Sequence, residues 1–449
     1  MSLKDFVFAA SSSSPSSRSR ILTVVRPMDN GPKEIRALDG LRAVAALSIV
    51  LFHVMLFLQI EYTPLSQAVN HGWYYLSTGV HLFFVLSGFL LFLPYARAML
   101  DGQRLPSARR FYRRRALRIL PAYWVCLAIM VTLKFYVQHV PFSLGDVAAH
   151  IVLIHDSFPQ FNRDYDGPFW TLAVEAQFYL LLPLLALIVS RVCGGRRSPW
   201  RIAGGVGLLI AGALALRTAD SIVIASLPAH ATLTDSPAGI FVLATMGMQG
   251  KYLEVFAVGM LCALLYVITI ERHALSTERL RKLGLIALAG AGICMALAIP
   301  HVDLAGLMVT PGAQWGADVI GYPLLVGLGF GGLVLAILWG GQRIRFLFEV
   351  SPTRIIGLFS YSLYLWHLPV IHGNVPFFAG IPLVLAIAGA FLVSYLSYQF
   401  VERPFLVRRH RQSGSENPQT AELDPVIVPV LAPAIETDTH STERIPALV

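Results

Sequence analysis

The sequence predicts an all-α integral membrane protein of about ten transmembrane helices, with both termini on the cytoplasmic side. Three observations carry this. First, 55% of its 449 residues are hydrophobic and 14% are charged, where a soluble domain carries about 25% charged residues; mean hydropathy is +0.63. Second, apolar runs of about 18 or more residues recur, each long enough to cross a ~30 Å hydrocarbon core as a helix. Third, Lys and Arg collect in alternate loops, the signature of membrane topology. The formal net charge of +9 is therefore topological and gives no reason to expect a nucleic-acid partner.

In chain order the spans are expected near 41–60, 75–93, 117–137, 169–190, 202–219, 251–270, 283–299, 318–339, 355–371 and 380–401. Six Lys and Arg lie in the segment ending at Arg36, and eight in 97–118. Four lie in each of 191–201 and 272–282, three in 343–354 and four in 403–411. The intervening loops are poor in cations: Arg163 is interior to one, and Arg217 and Lys251 stand at span ends. This positive-inside bias sets N-in, C-in and an even number of spans.

Outside the expected membrane domain, 34–405, both ends look disordered. Residues 1–33 are Ser-rich, and Phe6-Val7-Phe8-Ala9-Ala10 is too short for a signal sequence, so the first span is expected to insert the chain. Residues 406–449 are polar and Pro-containing. Cys126, Cys193, Cys262 and Cys294 lie in or beside spans without close pairing, which argues against disulfides and a zinc site. No repeat at a fixed period is evident, which weakens an inverted-repeat transporter reading.

The buried polar residues carry the functional signal. Arg42 and His53 are eleven residues apart on the first span, close to three turns, so both leave one face roughly 16 Å apart. Ionisable groups in a bilayer are expensive and face internal cavities or one another. By helical rise, Glu175, His367 and His81 fall at about the depth of His53. Near the opposite face, Arg115 and Arg118 share one side of the third span. With Arg42 they form a potential phosphate clamp, since guanidinium offers paired donors to phosphate oxygens. Asp39 is expected to pair with Arg42 or to cap its helix. Glu402 is expected to neutralise a clamp arginine, and Lys251 and Glu254 to stand at an entrance. Ser87 beside Gly88 reads more as a packing residue than a nucleophile. The segment 137–168 holds His139, Asp146, His150, His155, Asp156, Asp164 and Asp166 at irregular spacing. It is expected to be a solvated loop over the cavity rather than a metal site.

Six separated motifs occur in order: Leu38-Asp39-Gly40-Leu41-Arg42 with His53; Leu82-Phe83-Phe84-Val85-Leu86-Ser87-Gly88-Phe89; Arg115-Ala116-Leu117-Arg118-Ile119-Leu120-Pro121; Trp170-Thr171-Leu172 with Glu175 and Tyr179; Tyr361-Ser362-Leu363-Tyr364-Leu365-Trp366-His367; and Glu402-Arg403-Pro404. In these the chain resembles the membrane acyltransferase-3 family, from about Glu34 to Phe405. The resemblance implies a plasma (inner) membrane enzyme without a bound cofactor. Its co-substrate would be acyl-CoA, acetyl-CoA by default, and its acceptor a hydroxyl of a carbohydrate, glycolipid or glycosylated small molecule. Arg42, Arg115 and Arg118 would hold the donor. His53 would act as general base or acyl carrier, with Glu175 orienting its imidazole. Asp39, Ser87, Trp170, Tyr361, Tyr364, His367 and Glu402 would support the site or face the acceptor. Where many members carry an acid before Leu-Phe-Phe, this chain has His81, so no role for that acid transfers. The fused extracellular hydrolase-like domain of some members is not expected. The alternative is a proton-coupled transporter or export permease in which His53, Glu175 and His367 form a relay.

Overall fold

The structure is a computed structural model that describes residues 33–58, 75–141, 143–161, 165–194, 197–227, 233, 234, 236–245, 251–298, 317–373, 378 and 380–407. Residues 1–32 and 408–449, expected to be disordered, lie outside the described residues, as do Arg163 and Asp164. Among the described residues the chain is helical, with no strand. The helices used below are α1 (Lys33–Phe57), α2 (Gly79–Asp101), α3 (Ala108–Tyr136), α4 (Leu144–Ile151), α5 (Phe169–Val192), α6 (Pro199–Ser226), α7 (Pro237–Thr245), α8 (Leu253–Tyr266), α9 (Thr277–Ala298), α10 (Ala317–Trp339), α11 (Gln342–Glu349), α12 (Ser351–Leu358), α13 (Ser360–Ile371) and α14 (Leu383–Ser397). Wide π-turns continue α8 through Glu271 and α14 through Glu402.

Nine helices among the described residues are long and apolar enough to cross a membrane. The ninth expected span, 355–371, is instead two short helices, α12 and α13, with the break at Phe359 (φ −103°, ψ 16°). The break has a packing cause. Gly357 sits against the backbone carbonyl of Asp39 on α1, where a Cβ would collide with it, and Ser360 Oγ caps back onto Gly357 O at 2.9 Å. A second correction concerns α3, which begins at Ala108, so Arg109, Arg110, Arg113 and Arg114 also stand on the helix rather than in a loop before it.

Helix α2 is, with α8, one of the two most enclosed spans. Its partner is α8, and the two touch through backbone. A Cβ at Gly88 would run into the carbonyl oxygen of Phe256, and one at Gly259 into that of Val85. Small residues permit this close approach, and packing then replaces the hydrophobic effect that lipid cannot supply. Beside the crossing, Phe256 stacks between Phe84 (4.6 Å) and Phe178 of α5 (3.9 Å, 13° between planes). At the arginine-rich end, Arg97 is ion-paired with Glu271 and Arg272 with Asp101 (2.5 Å), tying the ends of α2 and α8 together. By contrast α9 exposes Leu285, Ile286 and Ile293, as a lipid-facing helix does.

Replacing either crossing glycine should separate α2 from α8. Gly88→Ala or Gly259→Ala is expected to destabilise the detergent-solubilised protein by about 1–3 kcal/mol, the usual penalty for overpacking. Thermal unfolding followed by size-exclusion would read this, and an unchanged midpoint for both variants would refute the crossing.

Candidate active site

A cavity of about 80 Å³ lies among α1, α2, α3, α5 and α13, several times the space one water needs. Helix periodicity explains its walls. Val80, Phe83, Ser87 and Leu90 form one stripe of α2, while Thr171, Glu175 and Tyr179 form one stripe of α5. Arg42, Arg115 and Arg118 line the same space, together with Tyr361 and Tyr364. The first span and the two-arginine motif of α3, 73 residues later in sequence, thus converge on one chamber.

The arginines are countered from behind. Asp39 and Glu402 do not line the cavity. Asp39 interacts electrostatically with Arg42, Arg354 and Arg118, and Glu402 with Arg118 and Arg42. Ser362 Oγ donates to Glu402 at 3.1 Å and holds that carboxylate in place. Within the cavity Glu175 accepts hydrogen bonds from Ser87 Oγ and Tyr179 OH. The Nε of Arg42 is buried without a hydrogen-bond partner among the described residues. The far wall is fixed by hydroxyls. Tyr364 OH and Thr171 Oγ1 lie 2.5 Å apart, and Tyr361 OH donates to Ile119 O at 2.9 Å.

His53 stands beyond this chamber and does not line it. Its Nδ1 lies 2.9 Å from Ile49 O and 3.2 Å from His367 Nε2. The Nδ1 of His367 in turn lies 3.0 Å from Leu363 O. Each carbonyl selects the tautomer with the proton on Nδ1. The His53 Nδ1–H is then shared between Ile49 O, the nearer acceptor, and His367 Nε2, and His53 Nε2 is left as the basic nitrogen. The expected partnership of Glu175 with the His53 ring is therefore not what the structure holds: the neighbour is His367, and Glu175 belongs to the arginine chamber. Depth along a helix fixes one coordinate only, and the direction of the side chain around the axis decides contact. Tyr364 joins the two places, lining the chamber while its ring centroid lies 5.9 Å from that of His367. His81, at the same expected depth, is boxed by Tyr252 (5.1 Å), Tyr322 (5.9 Å) and Phe84 (6.4 Å) and reaches neither the chamber nor the histidine pair. Trp170 lies against Tyr252 at 6.2 Å.

A family model described as an acyltransferase domain matches residues 35–400. The chain belongs to the membrane acyltransferase-3 family. It is 26% identical over 396 residues to the O-acetyltransferase OatA of Staphylococcus aureus, covering 83% of this chain and 57% of that one. The peptidoglycan O-acetyltransferase OatA of Listeria monocytogenes is 25% identical over 391 residues, covering 83% and 56%. The putative peptidoglycan O-acetyltransferase YrhL of Bacillus subtilis is 25% identical over 398 residues, covering 84% and 56%. The chain thus spans a little over half the length of these relatives. No solved structure matches it.

In this acyltransferase-3 chain the segment between α3 and α5 differs from the solvated loop expected of it. Asp146, His150, His155, Asp156 and Asp166 are all buried, although His139 is exposed. The cause is pairing across long sequence separations. Lys251 Nζ donates to Asp156 Oδ2 at 2.7 Å and Gln177 Nε2 to Asp156 Oδ1 at 2.6 Å. The rings of His150 and His155 stack at 3.8 Å, 6° from parallel, and Tyr123 OH donates to His150 O. No group of His, Cys, Asp and Glu among the described residues has a metal-binding arrangement. Sequence reasoning also missed Asp220, buried on α6 with Arg217. The signal was present, since two ionisable residues three apart inside an apolar run face one side of a span.

Burial pushes His155 down to about 3, with His150 and the Lys251 ammonium adding to the effect. The fold therefore keeps His155 neutral, while an unfolded segment takes up a proton below roughly pH 6.5. The stability this contributes is present above that pH and is lost as pH falls toward 3. Asp156 opposes the trend, because burial raises its carboxyl pKa against the lowering effect of Lys251. Amide exchange over 143–161, corrected for intrinsic rates, should be faster at pH 5 than at pH 7. His155→Phe, which keeps a ring in the stack, should remove the difference; an equal dependence in that variant would contradict the assignment.

Proposed function

We propose that this chain transfers an acyl group, acetyl by default, from cytoplasmic acyl-CoA to a carbohydrate hydroxyl at or beyond the other face of the plasma (inner) membrane. The observation that carries this is the convergence of Arg42, Arg115 and Arg118 on one chamber, with His53 three turns along the helix of Arg42. A proton relay for a small solute needs no such cation cluster, which counts against the transporter alternative. The relatives named peptidoglycan O-acetyltransferases support a cell-envelope glycan as the acceptor class.

In this reading the arginines take the donor's phosphates by charge-assisted hydrogen bonds. The pantetheine arm runs past Glu175 and Tyr364 toward the histidines. The acceptor hydroxyl gives its proton to His53 Nε2 as its oxygen attacks the thioester carbonyl. The tetrahedral adduct collapses, the C–S bond breaks, and the CoA thiolate takes the proton back from the imidazolium. His367, accepting from His53 Nδ1–H, holds the ring with Nε2 toward the reacting groups. Ser87 and Tyr179 fix the Glu175 carboxylate beside the donor path.

Acyl transfer from radiolabelled acetyl-CoA into an envelope glycan fraction tests the assignment. His53→Ala should lower the rate about a hundred- to ten-thousandfold, the range for loss of a general base. His367→Phe should lower kcat by less, with little change in the KM for acetyl-CoA. Arg115→Ala and Arg118→Ala should each raise that KM about tenfold, as expected for one lost charge-assisted contact. Full transfer by the His53→Ala protein would overturn the catalytic role, and solute uptake without acyl transfer would favour a transporter.

A further inference from the structure

A second cavity, of about 200 Å³, lies on the other side of α5, between it and α6, α7 and α8. Helix α5 turns Thr171, Glu175 and Tyr179 toward the arginine chamber and Val174, Gln177, Phe178 and Leu181 toward this second space. Four ionisable side chains line it: Arg217, Lys251, Asp220 and Glu254, with Lys251 paired to Asp156 outside the space. Arg217 donates to Glu254 Oε1 at 2.6 Å, and both are almost fully buried. Asp220 is 1% exposed and accepts from Thr245 Oγ1 at 2.8 Å. Such charges inside apolar spans are costly unless they serve a site.

Two features show that the group is not closed on itself. The Nε of Arg217 is buried and has no hydrogen-bond partner among the described residues, although the residue is 7% exposed. The backbone at Tyr252 is left-handed (φ 53°, ψ 29°), an uncommon state for an aromatic residue. That conformation sets its ring 5.4 Å from the Arg217 guanidinium.

We infer that this cavity is a subsite for an uncharged, hydroxyl-rich sugar unit of the acceptor, held by Arg217, Asp220 and Tyr252. This rests on the reading of the chain as a carbohydrate O-acyltransferase. Both lining cations are already paired with carboxylates, so the cavity holds no free cation to select an anion. What they offer is donors and acceptors side by side, which suits a hydroxyl that must both give and take a hydrogen bond. Tyr252 and Phe178 add apolar wall to the same space. The rim explains how the unit arrives. Leu181 and Leu216 are 47% and 46% exposed, so the cavity borders the lipid-facing surface, from which a sugar carried on a lipid can reach it.

Equilibrium binding to the full chain in lipid nanodiscs tests this apart from catalysis. The probes are radiolabelled chitotetraose, a free oligosaccharide, and radiolabelled dodecyl maltoside below its micelle concentration, a sugar on an alkyl chain. Wild type should bind at least one. Asp220→Asn, nearly isosteric and still able to accept from Thr245, should weaken that binding about tenfold. Ala213→Leu, which fills the cavity with an apolar side chain in an apolar span, should weaken it at least as much. Acetyl-CoA affinity, unchanged in both, checks that they fold. Tighter binding of dodecyl maltoside identifies a lipid-linked source, and tighter binding of chitotetraose a free glycan. Equal sugar affinity in wild type and both variants, or no binding of either probe by wild type, would overturn the subsite. Sugar binding that persists without any acyl transfer would instead sink the functional reading and leave the subsite standing.

Discussion

The contact of α2 with α8 through Gly88 and Gly259 sets the position of everything the site uses. Two backbones that meet at carbonyl-to-Cα distance cannot rotate or slide without a clash, so α2 is held in both register and orientation. Ser87 precedes Gly88 by one residue, about 100° around the helix. When Gly88 faces α8, Ser87 must face away from it, into the chamber where it meets Glu175. The same orientation places Phe84 on the aromatic stack and Phe83 on the chamber wall. A glycine that does no chemistry thus determines which side chains of α2 can take part in any.

The bundle solves the problem of buried charge twice, in different ways. In the arginine chamber, cations line the space while Asp39 and Glu402 stand behind them, so the cavity itself presents mostly donors. Under the proposed function a phosphate-bearing ligand would replace solvent there and complete the coordination. In the second cavity, cations and anions line the same space, Arg217 paired with Glu254 across it and Lys251 held by Asp156 from outside it. One arrangement suits a ligand with a large charge of one sign, the other a neutral polar ligand. Helix α5 forms a wall of both, and its two faces separate them.

Much of this was legible in the sequence, and the limits are physical. Span length and cation alternation made the helical membrane architecture readable, because lipid forces every backbone group into internal hydrogen bonds. The spacings Arg42–His53 and Arg115–Arg118 were readable because each lies on one helix. What could not be read was the direction in which separate helices turn their faces. Glu175 was matched to His53 by depth, yet its partners are Ser87 and Tyr179. The burial of Asp156 was hidden for a similar reason, since Lys251 lies 95 residues away and nothing local announces the pair. The split of the ninth span at Phe359 follows from the seat of Gly357 on Asp39, a contact between the two ends of the domain.

The neighbour of His53 is an imidazole rather than a carboxylate, and membrane depth gives a reason. A carboxylate beside His53 would stabilise the protonated ring, as in a soluble triad, but between turnovers it would be an unpaired buried anion. Two neutral imidazoles carry no such penalty at rest. Each ring has its Nδ1 proton directed by a backbone carbonyl one turn earlier in its own helix, Ile49 for His53 and Leu363 for His367. Orientation therefore comes from helix geometry, which the apolar environment strengthens, and no charge is required to maintain it. Under the proposed mechanism positive charge would arise only during proton transfer, when the departing thiolate would supply its counterion. In this respect a histidine pair is suited to chemistry within the bilayer, where a permanent charge would have to be neutralised in every state of the cycle.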